Sequence, residues 1–109
     1  MNFQTLGREL EQFMFEYRNK GNGSADERRD FLKEEYEGAF IVTKVSVLLA
    51  PISGVSQQEM LDRIRTHELQ RHASVADEMN YSAHQKEEYL EVHRKAYNDV
   101  AKEFGLIPS

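Results

Sequence analysis

The chain has 109 residues, the length of one ordinary domain, and no cysteine, which excludes both a disulfide framework and a thiolate metal site. Its net charge is −5 and neither half is basic, so the charge does not favour nucleic acid as a partner. A hydrophobic share of 39% beside a charged share of 30% suits helices with one buried stripe each. We expect one all-α domain over residues 1–109, with about four helices packed as a bundle or as two antiparallel helical hairpins.

The first predicted helix ends near Lys20, before a Gly-Asn-Gly turn. Its apolar residues recur with steps of three and four and form one stripe, which comprises Phe3, Leu6, Leu10, Phe13 and Tyr17. Phe15 lies off that stripe beside Met14, and an exposed aromatic residue of this kind is typical of a partner anchor. The alternative is that both residues pack against a neighbouring helix of the same chain.

The second predicted helix begins after Ser24, because Ser24 and Glu27 have the spacing of a capping box. The apolar face expected for it passes through Leu32, Tyr36, Phe40 and Val47. Over residues 38–50 the helix becomes apolar nearly all round, which predicts a central or dimerised helix.

The apolar stretch at residues 38–50 is rich in β-branched side chains and would also suit a strand. The chain offers no second strand to pair with it, so we predict a helix. The stretch is shorter than the roughly 20 residues that cross a bilayer, and we therefore expect no membrane span. We predict instead a protein interface to which Phe40, Ile41, Val45 and Leu48 contribute.

The third and fourth predicted helices begin after Ser56 and Ser82, each of which precedes a Glu or Gln at capping-box spacing. The apolar stripe of the third helix drifts over residues 67–72, so we expect its middle to be mostly solvated and to bend or break there. The fourth helix carries the cleanest stripe and ends before Gly105, the expected left-handed C-cap. His93 lies on that stripe and predicts a half-buried histidine bonded to a neighbour.

Two pairs of carboxylates, Glu34 with Glu37 and Glu59 with Asp62, are each three residues apart. Residues at this spacing share a helix face, so two such pairs on packed helices would offer oxygen ligands to Mg²⁺. The spacing resembles the Glu-x-x-Glu and Glu-x-x-Asp pairs of the all-α nucleoside triphosphate pyrophosphohydrolases of the MazG type. The resemblance implies a Mg²⁺-dependent enzyme whose metal clamps the phosphates of a nucleotide. A solvated acidic face is the alternative.

A third group of hypotheses concerns nucleic acid. Arg65 and His72 lie seven residues apart and resemble the Arg and His pair of helical ribonucleases of the HEPN type. Residues 73–89 resemble a helix-turn-helix, although Glu87, Glu88 and Glu91 would repel a phosphate backbone.

By elimination, we expect a small acidic cytoplasmic protein that acts by protein–protein interaction, as inhibitor, immunity and regulatory proteins do. Its partner would be another protein or a second copy of the chain in a homodimer. This interpretation needs no catalytic residue and no cofactor, and it involves neither a membrane nor nucleic acid. The lack of cysteine and of an apolar leader favours the cytoplasm.

Overall fold

The computed structural model describes residues 2–108, and over this part of the chain it contains four α-helices that pack against each other and no strand. The helices are α1 (Phe3–Asn19), α2 (Ala25–Leu49), α3 (Gln57–Glu78) and α4 (Ala83–Glu103). Short 3₁₀ turns, Lys20–Asn22 and Ala50–Ser53, follow α1 and α2. The expected all-α fold is confirmed, and the stretch at residues 38–50 is helical up to its last residue, which begins the second turn.

The predicted helix ends are found where local hydrogen bonding defines them. The side chains of Ser24, Ser56 and Ser82 each accept a hydrogen bond from the backbone amide three residues on, at 3.2, 3.1 and 3.1 Å. Ser24 and Ser82 also show the reciprocal bond that completes a capping box. Gly105 adopts the left-handed conformation, with φ at 67°, and the amide of Leu106 donates to the Ala101 carbonyl at 2.7 Å.

Helices α2, α3 and α4 form the closely packed part of the fold. Ion pairs join Arg28 to Glu88 and Lys44 to Glu103, so α2 and α4 run in the same direction. The short connections on either side of α3 make it antiparallel to both. Each of these three helices therefore presents one face to a shared interior.

The interior contains two clusters of buried side chains. One cluster comprises Val47, Leu61, Tyr97, Val100 and Ala101, and the other comprises Phe31, Val75, Ala76 and Tyr89. The expected face of α2 is shifted, because its buried residues are Phe31, Thr43 and Val47. Leu32, Tyr36 and Phe40 are only half-buried and lie at the edge of that face.

Helix α3 continues without a break from Gln57 to Glu78. The expectation that its middle is mostly solvated was wrong at His72, whose residual exposure is 7%. The reason is that α2 and α4 both contact this turn of α3. These two helices cover His72 although the residues around it on α3 are mostly polar. His67 is exposed, as expected.

Helix α1 differs from the others because none of its residues, 3–19, is buried. Only its C-terminal end packs on the rest of the chain, where the Tyr17 ring lies 5.1 Å from the Phe31 ring. The radius of gyration is 15.6 Å, against about 13 Å for a compact chain of this length. The amphipathic stripe of α1 is thus left uncovered up to Phe13.

Helix α2 with the turn after it, Ala25–Ser53, is long and apolar enough to cross a membrane by length and composition. Only 17% of its most apolar window is buried within the structure. A single helix of this kind is weak support for a membrane span, since core helices and signal sequences have the same composition. The predicted absence of a membrane partner remains a prediction.

Candidate functional site

Three helices each contribute one chemically active side chain to a single point in the interior. These are Glu35 from α2, His72 from α3 and His93 from α4. One potential ligand atom of each lies within 4.8 Å of the other two. His93 is 1% exposed and His72 is 7% exposed, while Glu35 is half-buried. The cluster therefore combines two imidazoles and a carboxylate away from bulk water.

His93 is held by contacts at both ring nitrogens. Its Nδ1 lies 2.6 Å from the backbone carbonyl oxygen of Tyr89, one helical turn earlier. A carbonyl only accepts, so Nδ1 carries a proton and donates it. Nε2 lies 3.3 Å from Oε1 of Glu35, another group that accepts when ionised. A positive species, either a proton or a metal ion, is needed between these two atoms.

The imidazole of His72 stacks on that of His93, with ring centroids 3.6 Å apart. Its Nδ1 lies 3.1 Å from the Tyr89 hydroxyl, and its Nε2 is 3.9 Å from Oε2 of Glu68. Burial lowers the pKa of His72 to about 4, and the nearby His93 and Arg71 add to this effect. At neutral pH His72 is therefore an uncharged imidazole with a lone pair available.

Glu35 is fixed by two helices besides its own. The Tyr17 hydroxyl at the end of α1 donates to Oε2 of Glu35 at 2.6 Å, and His93 faces Oε1. Burial alone would raise the pKa of Glu35, but the hydrogen bonds from His93 and Tyr17 outweigh it and lower the pKa. Conversely, burial and Glu35 raise the pKa of Tyr17 well above its usual value. Glu35 is thus ionised at neutral pH, with its orientation fixed.

An open cavity of about 370 Å³ leads to this cluster from the surface. It lies where α1 diverges from α2, between Met14 and Arg18 on one side and Val42 and Ile64 on the other. Its lining includes Glu35, His72 and His93, so the cluster forms part of the cavity wall although the two imidazoles are buried. Arg71 also faces the cavity and is paired with Glu68 at 2.6 Å.

Comparisons of the chain with protein-family models, with curated proteins and with solved structures found no match.

The four carboxylates proposed from the sequence as Mg²⁺ ligands, Glu34, Glu37, Glu59 and Asp62, are all exposed. Glu59 pairs with Arg63 at 2.7 Å, and Asp62 pairs with Arg65. None of the four belongs to the cluster formed by Glu35 and the two histidines. Mg²⁺ binding by these residues stays a prediction, since surface ion pairs of this kind are weak and a metal can replace them.

The two residues compared with a HEPN-type ribonuclease have different surroundings. Arg65 donates to the Ile107 carbonyl at 3.1 Å and pairs with Asp62, whereas His72 faces Glu35 and His93. The ribonuclease hypothesis stays a prediction.

The residues predicted to bind a partner are mostly accessible. Phe15, Ile41, Val45 and Leu48 are between 48% and 60% exposed. Met14 is half-buried beside the cavity, and Phe40 is half-buried against the core cluster around Val47. The exposed set also extends further than predicted, because the N-terminal stripe of α1 has no cover within residues 2–108.

Proposed function

We propose that this chain is a protein-interaction module whose first partner is a second copy of itself. The observation that carries the proposal is the uncovered apolar surface on α1 and on the second half of α2. Five large hydrophobic residues of α1 and six of α2 and the turn after it are exposed. They are Phe3, Leu6, Leu10, Phe13, Phe15, Ile41, Val42, Val45, Leu48, Leu49 and Ile52.

The size of this surface supports a stable contact. Eleven large side chains at these exposures offer roughly 1,000 Å² or more per copy, which exceeds the area of about 800 Å² that each partner buries in a standard interface. Monomeric proteins rarely expose apolar patches larger than a few hundred Å². A partner surface is the physical means of removing so much apolar area from water.

A second copy is the occupant that the two surfaces match best. Helix α1 is about 25 Å long with one apolar stripe, and α2 offers an apolar face of similar length over residues 38–52. In a twofold pair, α1 of each copy packs on α2 of the other, so one kind of helix contact occurs twice and covers both surfaces. The arrangement closes and leaves no free stripe.

A membrane is the competing occupant, because the same part of α2 is apolar enough to enter one. Three observations favour protein. Lys44 projects from the middle of the apolar stretch and pairs with Glu103 of α4. Phe31 and Val47 of α2 are part of the core, and α4 beside them carries charged residues on its outer face. A bilayer around α2 would have to separate these contacts.

We propose a cytoplasmic inhibitor, immunity or regulatory protein, in which the dimer presents acidic outer faces to a basic partner surface. Glu34 and Glu37 are exposed, and Glu87 and Glu91 are exposed beside Arg94, with which both pair. Raising the ionic strength should weaken binding to such a partner.

The test of self-association is the mass of the particle in solution, measured by light scattering and by sedimentation over a range of concentrations. We expect a dimer whose dissociation constant rises about 100-fold or more for Leu10→Glu and for Val45→Glu, because each variant buries a charge in the contact. Gln12→Glu and Lys33→Glu change exposed polar positions on the same helices and serve as matched controls. Wild-type protein that remains a monomer at about 100 μM overturns the proposal. Sedimentation with anionic vesicles that depends on Val45 would assign the surface to a membrane instead.

A further inference from the structure

We propose that Glu35, His72 and His93 bind one divalent transition-metal ion, Zn²⁺ in the first instance, at the point where α2, α3 and α4 meet. The inference goes beyond the interaction function and does not depend on it. The ligand residues belong to a single chain, and none of them lies in the exposed apolar surface.

The spacing of the ligand atoms suits a tetrahedral ion. Bonds of 2.0–2.1 Å in a tetrahedral site place neighbouring ligand atoms about 3.3 Å apart. Nε2 of His93 and Oε1 of Glu35 are 3.3 Å apart, and no pair within the cluster exceeds 4.8 Å. Binding of an ion requires the imidazoles, which stack with centroids 3.6 Å apart, to turn so that both ring planes point at it.

The hydrogen bonds around the histidines prepare them as ligands. A metal-binding histidine usually donates its second ring N–H to a carbonyl, a carboxylate or a water, which fixes the tautomer and directs the other nitrogen at the metal. His93 makes this bond to the Tyr89 carbonyl at 2.6 Å. The Tyr89 hydroxyl faces Nδ1 of His72 at 3.1 Å in the same role. Tyr89 therefore orients both imidazoles.

The alternative to a metal is a proton between His93 and Glu35. A proton bridges only that pair and does not involve the uncharged His72, which is stacked on His93 at 3.6 Å. A divalent ion satisfies both imidazoles and the carboxylate at once. The cluster contains one carboxylate for two histidines, so a bound ion keeps a net charge of about +1 that Glu68, 3.9 Å from His72, partly offsets.

The chemistry of the ligands selects the class of metal. Imidazole nitrogens suit Zn²⁺ and Fe²⁺, while Mg²⁺ and Ca²⁺ prefer an all-oxygen set. Two histidines and one carboxylate occur as ligands of catalytic Zn²⁺ and of non-haem Fe²⁺, and they leave at least one position for water or a ligand. All three ligand residues line the cavity of about 370 Å³, which would give a water or ligand access to such a position.

The experiment uses the full chain freed of metal with a chelator. Titration calorimetry with Zn²⁺ should give one ion per chain with micromolar or tighter affinity, and Co²⁺ should give the visible absorption of a tetrahedral complex with nitrogen ligands. His72→Gln and His93→Gln should each weaken Zn²⁺ binding at least about 100-fold, because losing a ligand costs no less than losing a supporting contact. His67→Gln and His84→Gln change exposed histidines and should leave the affinity unchanged.

Several outcomes would overturn the assignment. Wild-type protein that binds no Zn²⁺ at millimolar concentration excludes the site, as does Zn²⁺ affinity that falls with His84 but not with His72. Circular dichroism is used to check that each variant is still helical. If one histidine variant unfolds, the Glu35→Gln variant and the other histidine variant decide the question, since loss of the Co²⁺ spectrum in either one tests the same cluster. Preference for Mg²⁺ over Zn²⁺ would also contradict the proposal.

Discussion

The hydroxyl group of Tyr17 connects α1 to the buried cluster, and removing it gives a direct measure of that connection. In Tyr17→Phe the ring keeps its position 5.1 Å from Phe31, and only the 2.6 Å hydrogen bond to Glu35 is lost. A hydrogen bond to a charged, largely buried group contributes about 1.5–3 kcal/mol, and the side chain of Glu35 is 18% exposed. We expect the free energy of unfolding to fall by about 2 kcal/mol at pH 7, and Tm to fall by roughly 10 °C.

The assay is urea unfolding at one fixed protein concentration, because self-association would otherwise change the apparent stability. Tyr36→Phe is the matched comparison, since the Tyr36 hydroxyl also donates to a carboxylate, that of Asp99, on another helix. Asp99 keeps Lys95 at 3.0 Å and remains accessible to water, so this variant should lose less than about 1 kcal/mol. A double-mutant cycle of Tyr17→Phe with Glu35→Gln should give a coupling of about 1–2 kcal/mol. Equal losses for the two tyrosine variants, or no coupling in the cycle, would refute the reasoning.

Two further predictions concern the packing of the 3₁₀ turn Lys20–Asn22 and the stability of the fold in acid. Gly21→Ala should lower the free energy of unfolding by about 1–3 kcal/mol in urea unfolding, because a Cβ there overlaps the Tyr81 ring; Gly7→Ala, at an open helical position, should not destabilise. Metal-free protein should lose stability as the pH falls from about 6.5 to 4. The pKa of His72 is about 4 in the fold and 6.5 when unfolded, so the unfolded chain binds more protons between these pH values. This difference lowers the free energy of unfolding by about 3 kcal/mol at most. Urea midpoints measured across this range should be flatter for His72→Gln, and a wild-type midpoint that rises on acidification would contradict the prediction.

The helix ends could be predicted because they depend on residues close in the sequence. Ser24, Ser56 and Ser82 bond to amides three residues away, and Gly105 needs only its own backbone freedom. The stripe of α1 was also visible, but amphipathicity shows which face avoids water and not what covers it. The structure leaves that stripe exposed, and no local rule distinguishes this outcome from burial within the same chain.

The cluster of Glu35, His72 and His93 was missed because its members are far apart in the sequence. A signal did exist on α2, where Glu35 follows the buried Phe31 by four residues and precedes the buried Thr43 by eight, so it lies on the buried stripe. The expected stripe passed through Tyr36 instead, which placed Glu35 on the solvent side together with the two carboxylates chosen as metal ligands. An error of one position corresponds to a rotation of about 100° on a helix, enough to exchange a buried carboxylate for exposed ones.

His72 was singled out from the sequence beside Arg65, but its burial was missed for a different reason. The residues before it, from His67 onward, are mostly polar, so the apolar periodicity of α3 is weak at this turn. A polar residue on the buried face lowers the apolar signal at the place where function needs polarity, so periodicity alone passes over such a site. The three side chains have one property in common, which is that each is an acidic or imidazole group on the inward face of its own helix. These three side chains come together because α2 and α4 pack parallel to each other and α3 packs antiparallel against both.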